Sequence, residues 1–280
     1  MPCPGPVSDA LPPQVTIAAL AAQSHAFRTE TQFGPVVWRR WGSGPPVLLL
    51  HGSHGSWLHW VRNIAELARW RTVIVPDLPG FGDSASPGKQ TSADGIAEPL
   101  AAGLAGMDLT GVDILGFSFG GIIGGHVAAQ VRERIRRLVI IDTGGLGTPV
   151  CSIDQKPVRR DIEDMAAHRH NLAAMMLHEP ASIDALAVHI QAVNVPLGRI
   201  DVRPMVLPDG MIVALRRSNV SVDAIWGEWD RPHPDPEGQF AALRRERPQA
   251  RGMVVSGAGH WCIYENSAEF DRHCRTLLMD

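Results

Sequence analysis

Short apolar runs recur along the chain at 47–50, 72–75, 112–115, 138–141, 220–226 and 252–255. A strand whose two faces are both covered loses the alternation of a half-exposed strand and reads as a continuous apolar run, as a parallel sheet between helix layers requires. Stretches of helical character, at 60–69, 95–104, 120–132, 239–246 and 267–278, separate several of these runs. Strands alternating with helices imply βαβ units with right-handed crossovers, hence an α/β fold with a doubly wound, mostly parallel sheet. Upstream, 27–30 and 36–41 alternate in a strand-like way around Phe33-Gly34-Pro35, which predicts a hairpin.

The rhythm stops between 142 and 219. The candidates there are helical, at 159–167, 171–177 and 182–193, and a structureless loop of that length is implausible in a compact domain. The expected organisation is a proline-rich flexible arm at 1–14, a core at 15–148 and 219–280, and a helical cap at 149–218 over one edge of the sheet.

Composition narrows the partners. Lys plus Arg is 26 and Asp plus Glu is 29, a formal charge of −3 in 280 residues. Binding nucleic acid by counterion release wants a basic excess, so none is expected as a partner. No apolar run approaches ~18 residues, so no membrane span is expected. Met1-Pro2-Cys3-Pro4-Gly5-Pro6 has neither the basic region nor the apolar core of a signal peptide. Cys3, Cys151, Cys262 and Cys274 lack paired spacing and read as free thiols, so the expected location is cytoplasmic. Oligomeric state is open, with a homo-oligomer allowed.

The sharpest chemical signal is Gly116-Phe117-Ser118-Phe119-Gly120, directly after an apolar run and directly before a helix. A strand-to-helix turn this tight strains the serine backbone and exposes its hydroxyl, and glycines flank it because a Cβ would clash there. The following helix points its positive end at the serine, where an anion would develop. A phosphate cradle is the rival reading, but the P-loop lysine and the G-x-G-x-x-G spacing are both missing.

Three more segments complete the pattern. His51-Gly52-Ser53-His54-Gly55-Ser56-Trp57 follows the run at 47–50. Acyl transfer needs amides aimed at the oxyanion, and Ser53 and Phe119 are the candidates to supply them. Gly257-Ala258-Gly259-His260-Trp261 follows the last strand-like run and offers His260 as base, in the Ser…Asp…His order. Trp226-Gly227-Glu228-Trp229-Asp230 offers Asp230 as the acid, with Asp142 as the alternative and Glu228 and Asp235 behind it. His51 reads as a residue that fixes its loop. The trio His51, His54 and His59 has no carboxylates at metal spacing, so neither a metal nor a cofactor is expected. Trp57, Trp60 and Trp261 suggest an apolar pocket, with Trp261 beside the base, although packing is the default for the first two.

Together the His51-Gly52 turn, the D-x-P-G-x-G-x-S stretch at 77–84, the G-x-S-x-G elbow, the W-G-x-x-D-x-x-x-P stretch at 226–234 and the late Gly259-His260 resemble the α/β-hydrolase fold family, in that family's order. The resemblance runs from Phe27 to the C-terminus. It implies Ser118 as nucleophile, Asp230 as acid and His260 as base, with the insertion standing where the family carries its cap. Serine at the elbow separates the chain from the family's dehalogenases and epoxide hydrolases, which carry aspartate there. A narrower likeness, through His51-Gly52-Ser53, Gly259-His260-Trp261 and Glu269-Phe270, is to the carbon–carbon hydrolases of aromatic-ring meta-cleavage pathways. The chain departs from those at Phe117, where they usually carry Asn, and at His54-Gly55-Ser56, where they tend to have G-P-G. In that subfamily a cap arginine often meets the acidic substrate, which implies Arg199 here. The expectation is a serine esterase of a small ester or ketone substrate, with carbon–carbon cleavage as the alternative and a non-catalytic ligand receptor on the same scaffold as the reading from another class.

Overall fold

In the computed structural model, which describes residues 4–5, 11–158, 164–206 and 208–279, the six apolar runs join the upstream hairpin in one eight-stranded sheet. The strands are β1 (His25–Thr31), β2 (Gly34–Gly42), β3 (Pro46–Leu50), β4 (Thr72–Pro76), β5 (Val112–Phe117), β6 (Ile135–Ile141), β7 (Ser221–Gly227) and β8 (Gly252–Val255), in spatial order β1-β2-β4-β3-β5-β6-β7-β8. The expected hairpin is present: β1 and β2 pair antiparallel around Thr31 and Gly34, and β2 meets β4 antiparallel. From β4 to β8 every pairing is parallel. Most of the arm, residues 1–3 and 6–10, lies outside the described residues, as do 159–163 of one expected helix.

Alternate side chains on each central strand enter different cores. Leu48 and Leu50 pack with the helices α3 (Ala93–Gly106) and α4 (Phe119–Gln130), while Val47 and Leu49 pack with α10 (Cys262–Glu265) and α11 (Ser267–Met279). Both faces are thus covered, which is why β3, β5 and β7 carry almost no polar surface residue. The chain leaves β3 toward β4 on one side and returns to β5 on the other. The strand order therefore reverses between β3 and β5, and a crevice opens beyond the C-terminal ends of these two strands, where ligands bind in open α/β sheets.

Between β6 and β7 the described residues hold helices and turns but no strand, chiefly α5 (Met165–Asn171), a π-turn (Leu172–Met176), α6 (Ala185–Asn194), α7 (Arg203–Val206) and α8 (Gly210–Arg216). Helix α8 lies on the body of the fold: Met211, Ala214 and Leu215 join the core beneath α4, and a Cβ on Gly125 of α4 would come within 2.8 Å of Ala214. The rest of the segment is fastened to loops that follow strands. Asn194 Oδ1 accepts the Ser56 hydroxyl at 2.7 Å, and the Trp261 amide donates to Met176 O at 2.7 Å. Glu265 accepts the amides of His178, Glu179 and Gly259. Asp184 takes Arg62 at 2.7 Å and the Tyr264 hydroxyl at 2.6 Å. These ties hold the insertion against the segments that follow β3 and β8. No helix among the described residues is long and apolar enough to cross a membrane.

Candidate active site

Ser118 stands between β5 and α4 with φ of 51° and ψ of −120°, a left-handed conformation that costs a non-glycine residue of order 1–3 kcal/mol. Its neighbours hold it there. The Ser118 amide donates to Ile141 O at 2.7 Å. A Cβ at Gly116 would lie 2.5 Å from the Gly121 Cα, and one at Gly120 would collide with the Leu50 carbonyl oxygen. Side chains at either position would push α4 off the sheet, and the turn would open.

The Ser118 hydroxyl meets His260 Nε2 at 3.1 Å, and His260 Nδ1 lies 3.0 Å from Asp230 Oδ1. Asp230 is fully buried and His260 is 2% exposed. Burial pushes the Asp230 carboxyl up, but the charge of His260 and the hydrogen bonds from His233 and His260 outweigh it and hold the pKa down at about 2. Asp230 is therefore an anion that only accepts, so both imidazoles carry a proton on Nδ1. On His260 this leaves Nε2 as the acceptor for the serine proton.

The alternative acids have other partners. Asp142, at φ of 46° after β6, accepts the Gly227 amide at 2.8 Å. Burial and the charge of Asp230, with which it shares a side-chain hydrogen bond, push its carboxyl well above the usual range and favour the protonated form. Asp235 caps α9 (Pro236–Glu246) through the Gly238 amide, and Glu228 accepts the Gly257 amide. Cys262 is buried, and burial beside Asp142 pushes its thiol far up, away from reactive thiolate character.

The loop after β3 is braced from within. His51 Nδ1–H donates to Gly52 O at 2.8 Å and Nε2 accepts the Leu78 amide at 2.8 Å, so the ring is a neutral strut; burial lowers its pKa to about 4. Asp77 accepts the amides of Trp57 and Asp83, and Ser84 bridges Asp77 O to the Val37 amide. The 77–84 stretch thus ties two loops together. Among the described residues no protein acceptor takes the amides of Ser53 or Phe119. Gly52 lies against the elbow, since a Cβ on it would sit 3.2 Å from the Ser118 Cβ.

A cavity of about 750 Å³ lies beside this loop, with Ser53, His54 and His59 on one wall and Met175, Met176 and Gln191 of the insertion on the other. Among the described residues its lining is cationic: Lys89, Lys156, Arg199 and Arg203 stand against one carboxylate, Asp201, which Arg203 binds. Arg199 reaches the cavity wall, but its guanidinium donates to the carbonyls of Phe81, Gly82 and Ser84, which clamps the insertion to the 77–84 loop. Trp261 is wholly buried; it stacks on Tyr264 and donates its indole proton to His59 O. Trp57 and Trp60 are core residues, at 5% and 0% exposure.

Sequence reasoning passed over His233, whose Nδ1 lies 3.0 Å from Asp230 Oδ2. The only trace of it is the spacing of three residues after the acid. It also passed over Phe117 as a wall between two histidines: its ring centroid is 5.3 Å from that of His260 and 5.5 Å from that of His59. Asp230, His233 and His260 bring three ligand-capable atoms within 4.8 Å of one another. A cation there would displace the two imidazole protons that Asp230 holds.

Residues 45–171 match the family model described as alpha/beta hydrolase fold. A 2-hydroxymuconate semialdehyde hydrolase of Pseudomonas sp. (strain CF600) is 35% identical over 113 residues, which is 39% of this chain and 40% of that protein. A 2-hydroxy-6-oxo-2,4-heptadienoate hydrolase of Pseudomonas putida is 38% identical over 109 residues, 38% of this chain and 40% of its own length. The matched segment thus spans about two fifths of the length of these curated relatives. The crystal structure of an esterase from Rhodococcus sp. ECU1013 superposes with a TM-score of 0.73 at 21% identity, covering 92% of this chain and 99% of that one. At that identity the likeness is one of fold.

Proposed function

We propose that this chain, which belongs to the α/β-hydrolase fold superfamily, is a serine hydrolase that cleaves a small carboxylic ester through an acyl-enzyme. The observation that carries the reading is the unbroken line from Ser118 Oγ through His260 to Asp230, at 3.1 and 3.0 Å, on a strained turn at the sheet's reversal point. His260 takes the serine proton as Oγ attacks the ester carbonyl, and Asp230 stabilises the imidazolium. The amides of Ser53 and Phe119 receive the oxyanion, aided by the N-terminus of α4. His260 then protonates the departing alkoxide. In the second half it draws a proton from water, whose oxygen attacks the acyl carbon, and Ser118 leaves with that proton as the acid departs. Side chains and amides supply every step. The segment 149–218 acts as a cap that shapes the substrate cavity and keeps water from the acyl-enzyme.

Carbon–carbon cleavage of a vinylogous diketo acid by the same residues is the second reading. Two observations favour it: the names of the two Pseudomonas relatives, and the cationic lining, which suits an acidic substrate. Phe117 stands against it, because an aromatic ring before the nucleophile offers no hydrogen bond to a keto-enol oxygen. The test assays a chain-length series of p-nitrophenyl esters beside a diketo acid. A higher kcat/KM on an ester supports the proposal; preference for the diketo acid by tenfold or more replaces it with the second reading. A retained ligand and no turnover on either would make the chain a receptor.

A further inference from the structure

The triad acid in this chain serves two histidines. Asp230 Oδ1 faces His260 Nδ1 at 3.0 Å, and Oδ2 faces His233 Nδ1, also at 3.0 Å. The carboxylate and both rings are buried, at 0%, 2% and 5% exposure, and the ring centroids of His233 and His260 are 5.9 Å apart. The two imidazoles are the ring donors to the Asp230 carboxylate among the described residues, and the carboxyl of Asp142 is its further side-chain hydrogen-bond partner. We infer that His233 is a positioning residue for the triad, which fixes the rotation of the Asp230 carboxylate so that Oδ1 stays aimed at the base.

Three physical points carry this. A carboxylate turns about a broad, two-fold torsion, so one hydrogen bond alone does not fix its plane. Its second oxygen, buried without a donor, would be an uncompensated acceptor at a cost of about 1–3 kcal/mol, more for an ion. Through Nδ1–H, His233 removes both problems. The ring itself is held. The His233 amide donates to Asp230 O at 3.2 Å, closing the turn, and Pro232 and Pro234 restrict the backbone on either side. Across from it Gly144 gives the ring room, since a Cβ there would lie 2.9 Å from His233 Nε2. Outer partners of this kind, which orient a working side chain without touching substrate, change activity by about 10–100-fold where they have been removed around metal-ligating residues.

The inference rests on the reading of Ser118, His260 and Asp230 as a triad, and its test separates the two. His233→Leu keeps the bulk and removes the donor, whereas His233→Asn can place an amide N–H close to the Nδ1 position. Two readouts are taken on the intact protein: the rate at which a fluorophosphonate labels Ser118, and the low-field imidazole N–H proton resonances. Wild type is expected to show such a resonance from each of these two rings. In His233→Leu the resonance of His233 disappears, that of His260 moves upfield and labelling slows about 10–100-fold; in His233→Asn the His260 resonance and the labelling rate return toward wild type. A His233→Leu protein with an unmoved His260 resonance overturns the inference, and so does an Asn variant as impaired as the Leu variant. If wild type is not labelled at all, the hydrolase reading fails and the resonances alone decide the role of His233.

Discussion

Asp142 Oδ1 accepts the amide of Gly227 at 2.8 Å, so this buried acid braces the end of β7, three residues before Asp230, and leaves the imidazole of His260 to Asp230. Two carboxyl groups at neighbouring strand ends thus have different states. One is an anion held by two imidazoles, and the other is pushed up by burial and by the charge of the first.

That division predicts unequal mutants. Asp230→Asn should lower kcat/KM on a p-nitrophenyl ester by about 10³–10⁴-fold, because the wrong tautomer of His260 is then favoured. Asp142→Asn resembles the neutral acid and should cost less than about tenfold. Its stability should also respond to pH in a defined direction. A raised carboxyl costs folding stability as pH climbs above its unfolded value near 4, so Asp142→Asn should gain in melting temperature over wild type between pH 4 and pH 8. Equal activity losses in the two variants would dismiss the division of roles.

The oxyanion assignment concerns an amide, not a side chain. Ser53→Ala keeps the N–H and should leave kcat within about twofold; Ser53→Pro removes it and should cost ~10²–10³-fold in kcat. Steady-state kinetics on both variants, with circular dichroism to check the fold, make the comparison. A damaging Ala variant beside a harmless Pro variant would move the donor elsewhere.

His51 makes the loop brace sensitive to acid. Its pKa falls from 6.5 in the unfolded chain to about 4 in the fold, so the unfolded state binds the extra proton between those values. The brace contributes fully above pH 6.5 and is lost as pH falls toward 4, a change of about 3 kcal/mol. His59, also lowered by burial, adds in the same direction. Urea unfolding of wild type and His51→Gln at pH 7 and pH 4.5 should show the two stabilities converging at the lower pH. Curves that stay parallel would mean that His51 is not neutral in the fold.

Much of this was legible in the chain because backbone constraints write themselves into residue type. Continuous apolar runs mark strands covered on both faces, and Gly116 and Gly120 mark the places where a Cβ would meet backbone. The glycines single out Ser118, and the places of Asp230 and His260 after the last two apolar runs single out the acid and the base. Arg199 shows the limit: the sequence offers a cationic side chain near a cavity, while only the fold reveals that three carbonyls take its guanidinium. Trp261 is similar, a wholly buried ring with a fixed partner in His59 O. His233 was illegible for the opposite reason. A histidine three residues after an acid is an ordinary loop spacing, and its meaning comes from the burial of Asp230 Oδ2, a tertiary fact.

The central claim is that Ser118 is the nucleophile. Hydrolysis of p-nitrophenyl esters of increasing chain length by wild type and by Ser118→Ala, with both shown to be folded, tests it most directly. The account predicts turnover on short esters by wild type and a loss of at least ~10³-fold in the alanine variant. Turnover that survives in Ser118→Ala would contradict it.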